Sequence, residues 1–277
     1  MKKMLSCADY AFPLLSHDRV MRLIKLLDLK AIDLGVFEGR SHVSPSEIAV
    51  NPRQNGQELL TKLQEADLSV ADIFLQTGPK VTIASTNSPD KKVRDSNRDV
   101  FKSILEFSRT IHCDHLTGLP GVLHPKSSFK QDWATACEET AWRVEIAKAH
   151  NITYAVEPHL DSIIETPETA LRFAQEVPGL TFALDCGHFV FQGIAMEDIY
   201  PLLPFTSHFH ARCGSEGKLQ CAVSENTINF KEVFHRLHHL NYRGYTCLEY
   251  VYIDWHQCNR NDNISETLLL RDLIKSF

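Results

Sequence analysis

The run Leu180-Thr181-Phe182-Ala183-Leu184-Asp185-Cys186-Gly187-His188 decides how the rest of the chain is read. Its opening five residues, apolar or β-branched, are too few for an ordinary helix and suit a strand buried on both faces. That strand then ends on a carboxylate with a histidine three residues further on. Upstream, Ile152-Thr153-Tyr154-Ala155-Val156 ends the same way, in Glu157-Pro158-His159. Downstream, Ser207-His208-Phe209-His210-Ala211-Arg212 carries two histidines, and Tyr245-Thr246-Cys247-Leu248 ends in Glu249-Tyr250. Four successive strands therefore finish in Glu, Asp, His and Glu.

Further strand-like runs at 4–10, 30–37, 69–76 and 113–119 precede these four, and amphipathic helical patterns separate all eight. Helical stripes are read at Val20, Met21, Ile24 and Leu27, and at Cys137, Ala141, Val144 and Ala147. Another is read at Leu269, Leu270, Leu273, Ile274 and Phe277. Ser44-Pro45-Ser46-Glu47, Thr166-Pro167-Glu168, Asn229…Glu232 and Asn263…Glu266 read as helix starts. The piece 77–96 reads as irregular, either a lid or a disordered loop. Eight strands alternating with helices over 277 residues predict one α/β domain spanning 1–277, a (β/α)8 TIM barrel. An open doubly wound sheet would commonly show a glycine-rich turn after its first strand, and Cys7-Ala8-Asp9-Tyr10-Ala11-Phe12-Pro13 has no glycine. No nucleotide cofactor is expected.

Composition narrows the function classes. The chain is 43% hydrophobic and 23% charged with a net charge of −6, so neither disorder nor a phosphate-backbone partner is favoured. No stretch approaches the ~18 apolar residues of a membrane span. The first ten residues lack the apolar core of a secretory leader. Eight cysteines without a Cys-x-x-Cys pair suit a reducing compartment, so the expected location is cytoplasmic.

A barrel enzyme builds its site at the C-terminal ends of its strands. Alternation along 207–212 places His208, His210 and Arg212 on one face. Carboxylates converging at Glu157, Asp185 and Glu249 would repel one another, and a divalent cation is the simplest remedy. With His210 they form a mixed oxygen and nitrogen set that favours Mn²⁺ or Mg²⁺, with Co²⁺, Fe²⁺ or Zn²⁺ as alternatives. Cys186 and Cys213 are read as packing residues. His115 or Thr117 at the fourth strand end is a candidate pocket residue, and Lys218 and Gln220 are candidates for folding over the site.

These motifs resemble the xylose isomerase-like TIM barrel superfamily, which includes sugar phosphate isomerases and epimerases, ketose 3-epimerases and inosose dehydratases. The resemblance implies that Glu157, Asp185, His210 and Glu249 ligate a metal and that Glu157 and Glu249 form the acid/base pair. It implies substrate contacts for His188 and Arg212. His159 and His208 stand open between a substrate contact and a supporting hydrogen bond. Where xylose isomerase itself carries lysine, this chain has His159, and no second carboxylate set is read. Endonuclease IV-like relatives carry Asp-x-His where this chain has His208-Phe209-His210, and histidines on strands two and three where it has Phe37-Glu38-Gly39 and Leu75-Gln76-Thr77.

The resemblance thus implies a metal-dependent sugar, sugar phosphate or cyclic polyol isomerase or epimerase, Mn²⁺ being the expected ion. Such an enzyme moves a proton at a carbon α to a carbonyl through an enediolate held by the metal. The alternative keeps the same site for β-elimination, a lyase or dehydratase acting on a keto-inositol or 3-keto-glycoside. An endonuclease IV-like hydrolase and a non-catalytic sugar-binding barrel are the lesser readings. The expected partner is a small carbohydrate, with no nucleic acid and no membrane. Many barrels of this superfamily are homo-oligomers, and no feature of this sequence decides that point.

Overall fold

A computed structural model describes residues 4–277. Eight parallel strands close in sequence order into a barrel. They are β1 (Leu5–Ala8), β2 (Ala31–Phe37), β3 (Ser69–Gln76), β4 (His115–Gly118), β5 (Thr153–Val156), β6 (Thr181–Asp185), β7 (Thr206–Ala211) and β8 (Thr246–Leu248). Each coincides with a run read from the sequence. Around them lie α1 (His17–Leu26), α2 (Pro45–Val50), α3 (Pro52–Ala66), α4 (Lys91–Thr110) and α5 (Phe129–Ala149). The rest are α6 (Pro167–Glu176), α7 (Gly187–Val190), α8 (Met196–Ile199), α9 (Phe230–His239) and α10 (Asn263–Lys275). The chain is thus a (β/α)8 TIM barrel.

Two register shifts set which side chains share a face. Between Ile32 and Asp33 the β2–β3 register slips, bringing Asp33 opposite Asp72. A second slip, between Phe182 and Ala183, brings Asp185 opposite His210. A bulge re-aims the side chains that follow it, and here each one aligns two charged groups.

Four helix readings differ from expectation. The α5 face that is buried runs through Trp133, Ala136, Thr140, Arg143 and Ala147, leaving Cys137, Ala141 and Val144 only half-buried. That inner face contains Glu139, whose carboxylate accepts from Arg143 (3.0 Å) and from Arg98 of α4 (3.1 Å). A buried charge network therefore displaced the apolar stripe. In α10 only Leu270 and Ile274 of the expected stripe are buried, while Leu269 and Phe277 are exposed.

The cap of α10 is Asp262, which accepts from the backbone of Ile264 and Ser265. Asn263 instead donates its buried amide to the carbonyls of Ala11 and Tyr250. Finally, 91–96 is helical, and the segment before it is tied down. Asn87 donates to Val122 O (2.8 Å) and Asp132 O (3.2 Å), and accepts from Val122 N (2.9 Å). All eight cysteines are free, and no described helix is long and apolar enough to cross a membrane.

Candidate active site at the C-terminal mouth of the barrel

At the C-terminal ends of the strands lies a cavity of about 280 Å³ lined by Glu157, His159, His188, Arg212 and Glu249 on one side. Tyr10, Phe37, Arg40, Phe74 and Gln76 line the other, and Trp255 borders it from the segment after β8. Both expected acid/base residues and three of the four expected substrate residues are therefore brought to one cleft.

His210 is the hub. Its Nδ1 lies 2.8 Å from Glu157 Oε1 and 3.5 Å from Glu249 Oε2. Glu249 Oε1 accepts the Tyr10 hydroxyl at 2.8 Å, while Oε2 is buried without a hydrogen-bond partner. Tyr10 can stand there because β2 has glycine at position 35, where a Cβ would come within 2.5 Å of the tyrosine ring.

Electrostatics follow from burial and proximity. Burial pushes Glu157 up to about 7, against the pull of His210 and with help from Glu249 and Asp185. Burial opposes charge on His210, yet Glu249 and Glu157 lift its pKa well above the usual histidine range. A proton on His210 thus supplies the positive charge that the two carboxylates require. Burial, together with His159 and Arg212, holds His188 well below that range. His159 is pushed down to about 4 by burial.

The fourth expected ligand is held apart. Asp185 pairs with Arg212 through Oδ2 and accepts from Gly187 N through Oδ1 (2.7 Å). Burial raises its pKa, against the pull of Arg212. His188 Nε2 stands between the two groups, 3.8 Å from Glu157 Oε2 and 3.8 Å from Asp185 Oδ2. Leu160 N donates to His188 Nδ1 (3.3 Å) and Arg212 Nη2 lies 3.1 Å from Nε2, so both ring nitrogens face donors. His159 stacks on Trp255, with centroids 5.0 Å apart and planes 9° apart, and its Nε2 is 4.0 Å from Glu157 Oε2.

His208 does not line the cavity. Its Nε2 is 2.5 Å from Asp33 Oδ2 inside the barrel, where its ring contacts those of His210 and His115 at 5.3 and 5.2 Å. His115 also stays out of the cavity, 2.6 Å from Asp72 and 2.8 Å from Ser207 Oγ. The supporting role, and not the substrate contact, fits both positions. Asp33 and Asp72, two buried carboxylates that the sequence reading passed over, pair with these histidines beneath the site. A carboxylate within an apolar strand, as in Ala31-Ile32-Asp33-Leu34, was the signal for them. Lys218 pairs with Glu225, and Gln220 braces the backbone of Val251 and Cys258, so neither folds over the cleft.

The donor chemistry fits a divalent cation. Glu157, His210 and Glu249 each offer one donor atom, all within 4.8 Å of one another, and the partnerless Glu249 Oε2 is among the orphaned atoms there. Glu157, His159 and His188 form a second such group, and Asp33, Asp72, His208 and His210 a third. Only the first joins both cavity carboxylates.

Known proteins agree with this frame. The sequence profile described as xylose isomerase-like TIM barrel matches residues 22–273. No curated protein matches the chain. Among solved structures it is similar to D-psicose 3-epimerase from Clostridium cellulolyticum H10 with D-tagatose, at TM-score 0.76 and 14% identity over 99% of this chain and 98% of that one. It is similar to 3-keto-D-glucoside 4-epimerase from E. coli, at TM-score 0.72 and 15% identity over the whole of both chains. It is also similar to a probable 3-DHS dehydratase from Bacillus anthracis, at TM-score 0.70 and 14% identity over 99% of each. Such identities establish the fold alone. With the profile covering all but the two ends, the chain belongs to the xylose isomerase-like TIM barrel family.

Proposed function

We propose that this protein is a divalent-metal-dependent epimerase or isomerase of a sugar or cyclic polyol, working at a carbon next to a carbonyl. One observation carries the reading: Glu157 and Glu249 approach a single histidine from two strand ends, and both line the same cavity. Inverting a carbon requires one group to take a proton from one face and another to return it on the opposite face. Two carboxylates across one hub meet that need.

Glu157, His210 and Glu249 would hold the ion, with Asp185 joining them once Arg212 turns from it to the substrate. A bound Mn²⁺ or Mg²⁺ would acidify the carbon by polarising the adjacent carbonyl. Tyr10 fixes the orientation of the Glu249 carboxylate toward the cavity. Arg212, with His188 Nε2 beside its Nη2 (3.1 Å), offers its guanidinium to the oxygen that gains negative charge. His159 and Trp255 form a flat wall against which a sugar ring or chain can lie. The partner is a small carbohydrate, and eight free thiols support a reducing, cytoplasmic setting.

The test is incubation of metal-loaded protein with a panel of keto-sugars in D₂O. Deuterium in recovered sugar, with no loss of water or alcohol, is the expected result. An unsaturated product assigns the lyase chemistry instead. No exchange with any sugar in the presence of any divalent ion refutes the proposal.

A further inference from the structure

Two arginines line the cavity, and they differ in what neutralises them. Arg212 is paired with buried Asp185. Arg40, exposed at the mouth, has no carboxylate within ion-pair distance among the described residues. Its held partner is an amide: Nη2 donates to Gln76 Oε1 at 2.7 Å. Gln76 is buried, and its Nε2 donates to Gly78 O at 2.7 Å, which fixes the amide with its oxygen toward the guanidinium. The guanidinium also lies over the Phe37 ring, 5.0 Å from the centroid.

Nearby carboxylates are engaged elsewhere. Glu38 accepts from Ser46 N (3.1 Å) and Ser46 Oγ (2.8 Å), and Asp9 accepts from Gly35 N (2.8 Å) and faces His17 (3.0 Å). Arg40 is thus positioned by neutral groups that leave its charge intact. A carboxylate partner would have cancelled it.

Tyr10 touches Glu249, Phe74 contacts His210 (5.7 Å), and both rings pack on Phe37 (4.9 and 5.2 Å). Arg40 sits beyond Phe37, and β2–β3 pairing sets Phe37 opposite Gln76. An apolar patch therefore separates an acid/base end from a cationic end of one cavity.

Building on the proposed function, we infer that the substrate carries an anionic group, a phosphate or a carboxylate, at the end remote from the reacting carbon, and that Arg40, held by Gln76, recognises it. The planar fork of the guanidinium matches either anion, and Arg212, paired with Asp185, lies at the reacting end.

The experiment compares a panel of ketoses, their terminal phosphates and the matching uronates on metal-loaded wild type, Arg40→Met and Arg40→Lys. The reading is the ratio of kcat/KM for anionic over neutral substrate within each variant, which cancels any general loss from poor folding. Wild type should prefer one anionic class by about 10–100-fold, the usual range for a hydrogen-bonded charge contact. Arg40→Met should erase the preference, and Arg40→Lys should keep part of it. Which anion is preferred separates phosphate from carboxylate.

Equal ratios in wild type, or a preference that survives in Arg40→Met, overturn the inference while leaving the proposed function standing. If no sugar turns over, the proposed function fails, and equilibrium titration with the same compounds decides Arg40 alone. Tighter anion binding by wild type that Arg40→Met lacks then supports it, and equal binding overturns it.

Discussion

The hydroxyl of Tyr10 donates to Oε1 of Glu249 at 2.8 Å, joining the turn after β1 to the end of β8. Glu249 has no other hydrogen-bond partner on its second oxygen, so this contact fixes the carboxylate. Tyr10→Phe keeps the ring and removes the donor. Hydrogen bonds to charged groups contribute about 1.5–3 kcal/mol, so proton-exchange rates should fall about 10–100-fold. Steady-state kinetics with far-UV circular dichroism check that the rate falls while the fold is kept.

Gly35 sets the position of that ring. A methyl group there would lie 2.5 Å from Tyr10 Cδ1, closer than any real contact. Gly35→Ala should cost about 1–3 kcal/mol, as overpacking does, and should lower activity with it. Urea unfolding gives the first quantity. Wild-type stability in this variant would mean that the ring yields at no cost.

Glu249→Gln keeps shape and removes the base. The exchange rate should drop by about 10²–10⁴, the range for loss of a positioned acid or base. Deuterium incorporation followed by NMR reads this directly. Retention of more than a tenth of the rate would remove Glu249 from the acid/base pair.

Cation binding should depend on pH with a definite sign. In the metal-free protein Glu157 titrates at about 7, raised by burial, and His210 holds its proton to higher pH still. Below those values a cation must displace protons, so apparent affinity rises as pH increases through 7. Calorimetry in buffers of different ionisation enthalpy should show proton release on binding. Saturating Mn²⁺ at about 100 times its Kd should add about 2.7 kcal/mol of stability, and a chelator should remove it.

Asp33 makes a structural prediction. His208 holds its carboxyl below the usual range even though burial works the other way. A depressed carboxylate stabilises above its unfolded pKa of about 3.9, and that stability is lost as pH falls through the folded value. Asp33→Ala leaves His208 without its partner and should cost about 3–5 kcal/mol. Chemical unfolding at neutral pH tests it.

The sequence revealed the strand ends of the C-terminal half because each carries its charge directly after an apolar run. Glu157, Asp185 and Glu249 sit at such junctions, while His210 was marked by alternating with His208 and Arg212 along β7. The cavity wall formed by Tyr10, Arg40 and Gln76 had no comparable mark. Tyr10 lies in a short turn, and Gln76 is a neutral residue whose value comes from what it holds. The ion pair of Asp185 with Arg212 was equally invisible, since strand alternation gives a face but not a partner. The α5 stripe failed for a related reason: Glu139 and Arg143 satisfy each other inside, which periodicity reads as a solvent face.

The interior pairs beneath the site have a consequence for how the chain folds. Asp33 comes from β2 and His208 from β7, while His115 on β4 reaches Ser207 on β7. Neither half of the barrel contains both members of these contacts. An N-terminal fragment ending after β4 would carry Asp33 with no His208 to meet it, and a C-terminal fragment would carry the histidine alone. Closing the ring therefore completes the Asp33–His208 pair, which couples the two halves of the barrel, whereas Asp72 meets His115 within the first half.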